Sequence, residues 1–279
     1  MVDTLHLERY EYKYFVPEER AAAIRSFIRP YVALDKYAAR RPEGRYTIHN
    51  LYLDTPGLDL YAASKGGDPD RLKLRIRWYD EKALDPFFVE VKRKIRDVVV
   101  KDRARVSREE FQAFIRGDRV RTLEGPAFLA LTEFRDQVSL RGAVPTLSSR
   151  YTREPFESIF GDYARLTLDR AMCYQPAGNV ELPEESRAWT YIDAARATGG
   201  VRRALILELK FTRDFPRWMS DLVAEFDLER VGFSKYVSSM LHHLDRAHGG
   251  ADSDRISTVG ARLGGSVGSP FPMAQPEAP

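Results

Sequence analysis

Arg71-Leu72-Lys73-Leu74-Arg75-Ile76-Arg77-Trp78-Tyr79 alternates cations with apolar residues along its whole length. Successive side chains of a β-strand point to opposite faces, so Arg71, Lys73, Arg75 and Arg77 share one face, and Leu72, Leu74, Ile76 and Trp78 the other. For one strand alone, a solvated charged face is the commoner explanation. Three further stretches argue against it. Phe88-Val89-Glu90-Val91-Lys92-Arg93-Lys94 puts Glu90, Lys92 and Lys94 on one side; Glu11 and Lys13 repeat the Glu-x-Lys spacing, and Glu208 and Lys210 repeat it again. Independent solvent faces would rarely share one charge pattern. The charged faces are therefore expected to look at one another across an interior.

The apolar faces need cover, and Leu205, Leu207 and Leu209 are an example. Helices read at 17–28, 107–116 and 125–140 can supply it. Pro17-Glu18-Glu19 suits a helical first turn, and Ser107-Arg108-Glu109-Glu110 has the form of a capping box ahead of a stop at Gly117. Strands are predicted over Arg9–Phe15, Tyr46–Asp54 (ended by Thr55-Pro56-Gly57), Arg71–Tyr79, Phe87–Lys94 and Val98–Val106. Further strands are predicted over Thr146–Thr152, Arg165–Met172, Arg187–Ile192 and Ala204–Phe211. Two helices follow, at 216–226 and 234–247. Connections between neighbouring strands are too short for parallel crossovers, so the sheet is expected to be antiparallel. The predicted fold is α+β: a closed antiparallel β-barrel, a tunnel, with helices packed around it over residues 1–248. Residues 249–279, rich in Gly, Ser, Asp, Ala and Pro, are read as a disordered tail.

Composition excludes several classes. With 43% hydrophobic and 30% charged residues over 279, the chain has the mixture of a soluble globular protein. No apolar run reaches the roughly 18 residues of a membrane helix, and the N-terminus lacks a secretory pattern, so a cytoplasmic location is expected. The lone Cys173 rules out an internal disulfide and a Cys-rich zinc site, and is read as a small buried residue. A formal charge of +3 names no partner by itself. Placement has to carry the signal.

In a closed barrel the inward residues of every strand meet in the lumen, where like charges repel unless a polyanion or metal is present. Arg offers bidentate contacts to phosphate oxygens, Lys a movable point charge, and Glu the hard oxygen ligand that Mg²⁺ or Mn²⁺ takes beside substrate phosphates. A chain of phosphates with a divalent metal fits such a wall.

From Arg9 to about His248 the sequence resembles the VTC domain, the polyphosphate-polymerase domain within the triphosphate tunnel metalloenzyme superfamily. The resemblance rests on Glu11-Tyr12-Lys13-Tyr14, Leu51-Tyr52-Leu53-Asp54-Thr55-Pro56, Lys73 to Tyr79, Phe88 to Lys92, and Val100-Lys101-Asp102-Arg103. It continues with Tyr151-Thr152-Arg153-Glu154-Pro155-Phe156, Arg165-Leu166-Thr167-Leu168-Asp169, Leu207-Glu208-Leu209-Lys210 and Phe233-Ser234-Lys235-Tyr236. It implies that Lys13, Arg75, Arg77, Lys92, Lys101, Arg153 and Lys235 contact phosphate oxygens, and that Glu208 is the principal metal ligand. Lys73, Arg103, Arg165 and Lys210 join the expected phosphate-binding set, and Glu90 and Asp169 fall in the inner layer. Arg75, Arg77, Lys92, Arg153 and Glu208 are the expected catalytic group. The CYTH branch of the superfamily opens with Glu-x-Glu-x-Lys, whereas Arg9 holds the first Glu position here, which suits the VTC branch. Gly232 stands where some VTC domains carry a further Lys.

The expected activity is transfer of the ATP γ-phosphate onto a growing inorganic polyphosphate chain, with Mn²⁺ or Mg²⁺ as cofactor. Two alternatives use the same tunnel: a triphosphatase or polyphosphatase with water as nucleophile, and a non-catalytic polyphosphate-binding module. ATP and polyphosphate are the expected partners, with a separate membrane protein for any export. Nucleic acid is not expected, because Leu72, Leu74 and Ile76 stand where bases would need aromatic rings. His242 and His243 lack acidic neighbours at ligand spacing and are read as surface or interface residues. Ser234 is read first as a helix cap, Trp78 as an outward core residue, and Tyr79 as a ring that could meet a base at the tunnel entrance.

Overall fold

The computed structural model describes residues 9–79, 86–96, 98–115, 124–161, 163–178, 188–192, 204–212 and 214–247. The tail at 249–279, the helix stop at Gly117 and the start of the strand expected at 187–192 lie outside these. The ordered elements are β1 (Arg9–Pro17), α1 (Ala21–Ile28), β2 (Val32–Leu34), β3 (Tyr46–Asp54), α2 (Asp59–Gly66), β4 (Asp70–Tyr79), β5 (Phe87–Ile95) and β6 (Val98–Val106). After these come α3 (Arg108–Ile115), α4 (Gly125–Arg141), β7 (Val144–Ser158), β8 (Ala164–Pro176), β9 (Thr190–Tyr191), β10 (Ala204–Thr212), α5 (Arg217–Glu225) and α6 (Lys235–Ala247). The predicted elements recur with ends shifted by a few residues, except that β7 and β8 run longer. β2 and α2 are additional.

Every strand belongs to one antiparallel sheet in the order β1-β10-β8-β7-β3-β4-β5-β6, with β2 on β7 and β9 on β8. The sheet curls into a half-barrel, and the expected closure does not occur: among the described residues no ladder joins β6 to β1. The physical reason lies at the free edge of β1. Val231 N donates to Lys13 O at 2.8 Å, and Tyr14 forms a single antiparallel bridge with Arg230. The chain between α5 and α6 thus occupies this edge at Lys13 and Tyr14, in the middle of the stretch along which β6 would have to pair. Across the seam, Lys92 of β5 and Glu11 of β1 approach to 3.8 Å through side chains.

Alternation sends the apolar face outward, as the sequence requires. Leu72, Leu74, Ile76 and Trp78 join Val89, Val91, Ala104 and Val106 in a core covered by Phe111 of α3 and by Leu131 and Phe134 of α4. Leu205, Leu207, Leu209, Leu166 and Leu168 form a second core under α1 and α5, through Ile24, Ile28, Trp218, Met219 and Leu222. The capping box at α3 forms reciprocally, with Ser107 N donating to Glu110 Oε2 (2.6 Å) and Glu110 N to Ser107 Oγ (3.2 Å). A third cluster lies on the concave side: Tyr236 and Met240 of α6 cover Tyr52, Leu147 and Tyr174, so α6 occupies part of the interior. Tyr236 stacks on Tyr52 with centroids 4.6 Å apart.

Candidate active site: the charged concave face

Register alone brings much of the charge together. Lys13 pairs with Glu208 and Glu11 with Lys210 across β1 and β10, and Asp169 of β8 lies opposite Arg153 of β7. The side chains then knit across the strands. Arg153 makes a bidentate pair with Asp169 (2.6 and 2.6 Å) and reaches Glu208 Oε2 at 3.0 Å. Lys235, the first residue of α6, lies 2.6 Å from both Asp169 Oδ2 and Glu208 Oε1, while Lys210 meets Glu208 Oε2 at 2.9 Å. Lys235 also sits 4.6 Å from the centre of the Tyr151 ring.

A second charge cluster surrounds Glu90. Arg75 (2.5 Å), Lys101 (2.8 Å) and Arg103 (3.1 Å) all converge on its carboxylate. Arg77 is held by Asn50 Oδ1 at 2.9 Å and approaches the Tyr151 hydroxyl at 3.5 Å. Lys73 donates to Ser234 Oγ (2.8 Å) and Lys13 to Phe233 O (2.9 Å), which ties the start of α6 to β4 and β1.

Electrostatics follow from this crowding. Burial alone would raise the carboxyls of Glu208 and Glu90. The Lys210, Lys235 and Arg153 charges hold Glu208 well below the usual range, and Arg75, Arg77, Lys101 and Arg103 do the same for Glu90. Lys235 is raised against the effect of burial by Asp169 and Glu208. Among the described residues no carboxylate pairs with Lys73 to offset its burial. Desolvation, with Lys92, Lys13, Arg71 and Arg75 nearby, lowers it to about 7. Lys101 is also lowered to about 7, chiefly by burial, despite Glu90.

Most of the residues singled out from sequence therefore face one cavity wall: Lys13, Lys73, Arg75, Arg77, Lys92, Lys101, Arg103, Arg153, Glu208, Lys210 and Lys235. Arg165 does not join them, because it is half-exposed and pairs with Glu157 at 2.9 Å. Trp78 and Cys173 are buried as expected, and Ser234 accepts the Val237 N–H at 3.4 Å in the manner of a cap. His242 and His243 pack on Tyr174, with His242 Nδ1 3.0 Å from its hydroxyl.

No group of three or more His, Cys, Asp or Glu side chains among the described residues is placed to hold a metal ion by itself. Glu208 and Asp169 nonetheless share Lys235 and Arg153, and Glu11 is close enough to Glu208 for their charges to interact. One or two carboxylates beside a phosphate chain is the donor set from which Mg²⁺-like ions are completed by substrate oxygens and water. The residues fit a metal that arrives with phosphates, not a dedicated cage.

Asp54, the last residue of β3, has a structural role. It is fully buried and accepts the backbone N–H groups of Thr55 (2.7 Å), Leu60 (2.9 Å) and Tyr61 (2.8 Å), together with the Tyr236 hydroxyl (2.5 Å). One carboxylate thus caps α2 and fastens α6. Glu154, beside Arg153, points outward and forms a bidentate pair with Arg25 of α1 (2.7 and 2.9 Å).

The site is thus an antiparallel half-barrel whose concave face interleaves Lys, Arg and carboxylates. The sequence model of the VTC domain matches residues 8–243, and the chain belongs to that family. No curated protein matches it. Among solved structures, a proposed adenylate cyclase of Bacillus halodurans is similar at 14% identity, covering 82% of this chain and 94% of that one, with a TM-score of 0.46. A proposed adenylyl cyclase of Hippeastrum, described as having a dominant triphosphatase activity, is 16% identical over 85% and 96%, with a TM-score of 0.43. A Pyrococcus horikoshii OT3 protein is 14% identical over 84% and 99%, with a TM-score of 0.42. No helix among the described residues is long and apolar enough to cross a membrane.

Proposed function

We propose that the chain is a metal-dependent polyphosphate polymerase that transfers the γ-phosphoryl group of ATP to the end of an inorganic polyphosphate chain. The observation that carries this reading is the convergence of Arg153, Lys210 and Lys235 on Glu208 within a wall otherwise dominated by cations. Phosphoryl transfer needs in-line positioning and charge neutralisation more than covalent chemistry. Arg75, Arg77, Lys92 and Arg153 would neutralise the transferring group, and Lys13, Lys73, Lys101, Arg103, Lys210 and Lys235 would hold the phosphates on either side. Glu208, with Asp169 and Glu11 nearby, would hold Mn²⁺ or Mg²⁺, which supplies further neutralisation of phosphate charge when bound.

An oxygen of the terminal polyphosphate forms the new P–O bond, the bond between the γ-phosphorus and the β,γ-bridging oxygen breaks, and ADP leaves. No general base is required, because a phosphate terminus is already anionic at pH 7. The test is to incubate the purified chain with ATP and Mn²⁺ and to resolve long-chain polyphosphate, free phosphate and ADP. Polymer with stoichiometric ADP is expected. Free phosphate without polymer would make the protein a hydrolase, and retained polyphosphate binding without turnover would make it a binding module.

A further inference from the structure

The concave face has two unlike ends. Tyr46 opens β3, Tyr79 closes β4 and Phe88 stands second in β5, so the antiparallel order sets all three rings at one end. They touch in sequence: Tyr46 and Tyr79 edge-to-face at 5.6 Å, Tyr79 and Phe88 edge-to-face at 5.7 Å. The Arg103 guanidinium lies over the Phe88 ring at 3.6 Å, and its Nη2 approaches the Tyr79 hydroxyl at 3.5 Å. At the other end of β4 and β5 the inward positions are the paired Arg71 and Lys94.

The three rings are only partly buried and belong to none of the three cores, unlike Trp78 on the outer face. They also adjoin the phosphate wall. Arg77 is the next inward residue on β4, and Arg153 pairs with Tyr46 in register. A group of half-buried rings edged by a guanidinium, one step from a line of cations, matches a ligand with a flat ring at one end and phosphates at the other.

We propose that this end of the half-barrel is a base-stacking subsite for a nucleoside triphosphate, formed by Tyr79 and Phe88 with the Arg103 guanidinium and bordered by Tyr46. The inference rests on the triphosphate reading above and adds a direction: the nucleotide enters by the aromatic end with its γ-phosphate towards Lys235. The phosphate chain then extends towards Lys73 and Lys92.

The test compares a non-hydrolysable ATP analogue with inorganic tripolyphosphate, measured by titration calorimetry on the full chain with Mn²⁺. Tyr79→Leu keeps the apolar bulk and removes the ring. It should weaken the ATP analogue about tenfold, within the range for loss of one base–aromatic stack, and leave tripolyphosphate affinity unchanged. Tyr79→Trp should restore it. In the unaltered chain, purine nucleotides should bind more tightly than the matching pyrimidine nucleotides. Equal weakening of both ligands, or no purine preference in the unaltered chain, overturns the subsite while leaving the triphosphate reading in place. Failure of the unaltered chain to bind either ligand overturns that reading itself.

Discussion

The Lys235 ammonium lies 2.6 Å from a carboxylate oxygen of Glu208 and 2.6 Å from one of Asp169, so a single cation from α6 closes the charge of two carboxylates on β10 and β8. Any divalent ion that uses Glu208 competes with Lys235, Lys210 and Arg153. Phosphate oxygens would relieve the competition by giving those cations other partners. Binding of the two ligands is then mutually dependent, and the dependence is reciprocal.

Mn²⁺ should accordingly bind the ligand-free chain weakly and at least tenfold more tightly with saturating tripolyphosphate, a coupling of about 1.4 kcal/mol. Free Mn²⁺ followed by electron paramagnetic resonance gives the number, with tripolyphosphate's own Mn²⁺ affinity subtracted. Equal affinity in both conditions would show that the carboxylates are not held back by their cations.

Glu208→Gln keeps the side-chain shape and removes one negative charge from a buried cluster. Turnover should be lost while polyphosphate binding is kept or strengthened, since Lys210, Lys235 and Arg153 are freed for phosphate. Product analysis with ATP and Mn²⁺ and a polyphosphate titration, checked by circular dichroism for fold, test this. A fully active variant would remove Glu208 from the chemistry.

Lys73 and Lys101, lowered to about 7 by burial, should respond to pH. A lysine with a lowered folded pKa binds fewer protons folded than unfolded between that value and its ordinary one, near 10.4. It therefore opposes folding most at low pH, and its penalty is relieved as pH rises through that window. An arriving polyanion favours the charged form, so tripolyphosphate binding at pH 8 should take up protons and weaken as pH rises. Calorimetry in buffers of different ionisation enthalpy reads the uptake, and Lys73→Arg, which stays charged, should reduce it. Identical uptake in the unaltered and Lys73→Arg chains would rule out Lys73 as its source.

Asp54→Ala removes the acceptor of three backbone N–H groups and of the Tyr236 hydroxyl. Leaving buried donors unpaired should cost about 3 kcal/mol, and Tyr236→Phe, which removes one bond to a carboxylate, about 1.5–2 kcal/mol. Urea unfolding followed by circular dichroism measures both. A smaller loss for Asp54→Ala than for Tyr236→Phe would contradict the double role of Asp54.

How far these features could be read in advance depended on whether a local pattern recorded them. Alternation in Arg71–Tyr79 and in the Glu-x-Lys strands carried the inward and outward faces, because pleating converts period two directly into sidedness. The box at Ser107 and Glu110 was legible because a cap is a contact within four residues. Closure was not. The edge of β1 is taken by Arg230 and Val231 through one bridge and one hydrogen bond, too short a pairing to leave any period. Arg165 alternates correctly yet sits at the rim, where Glu157 neutralises it, and strand period says nothing about depth. Asp54 and Asp169 act through partners 182 and 16 residues away, which spacing cannot reveal. α2 was missed because its first turn is capped by Asp54 and Thr55, residues that read as the end of the preceding strand.

The seam between β1 and β6 bears on how a polymer could come and go. A ring of strands laddered all round admits a chain only by its tip, and a long product would have to be drawn out lengthwise. Among the described residues the first and last strands share no backbone ladder, and the seam is crossed by the Glu11–Lys92 pair and edged by Arg230 and Val231 on β1. Neither contact belongs to a strand ladder, so the seam is held by one side-chain pair and one short backbone contact where the rest of the wall is held by continuous pairing.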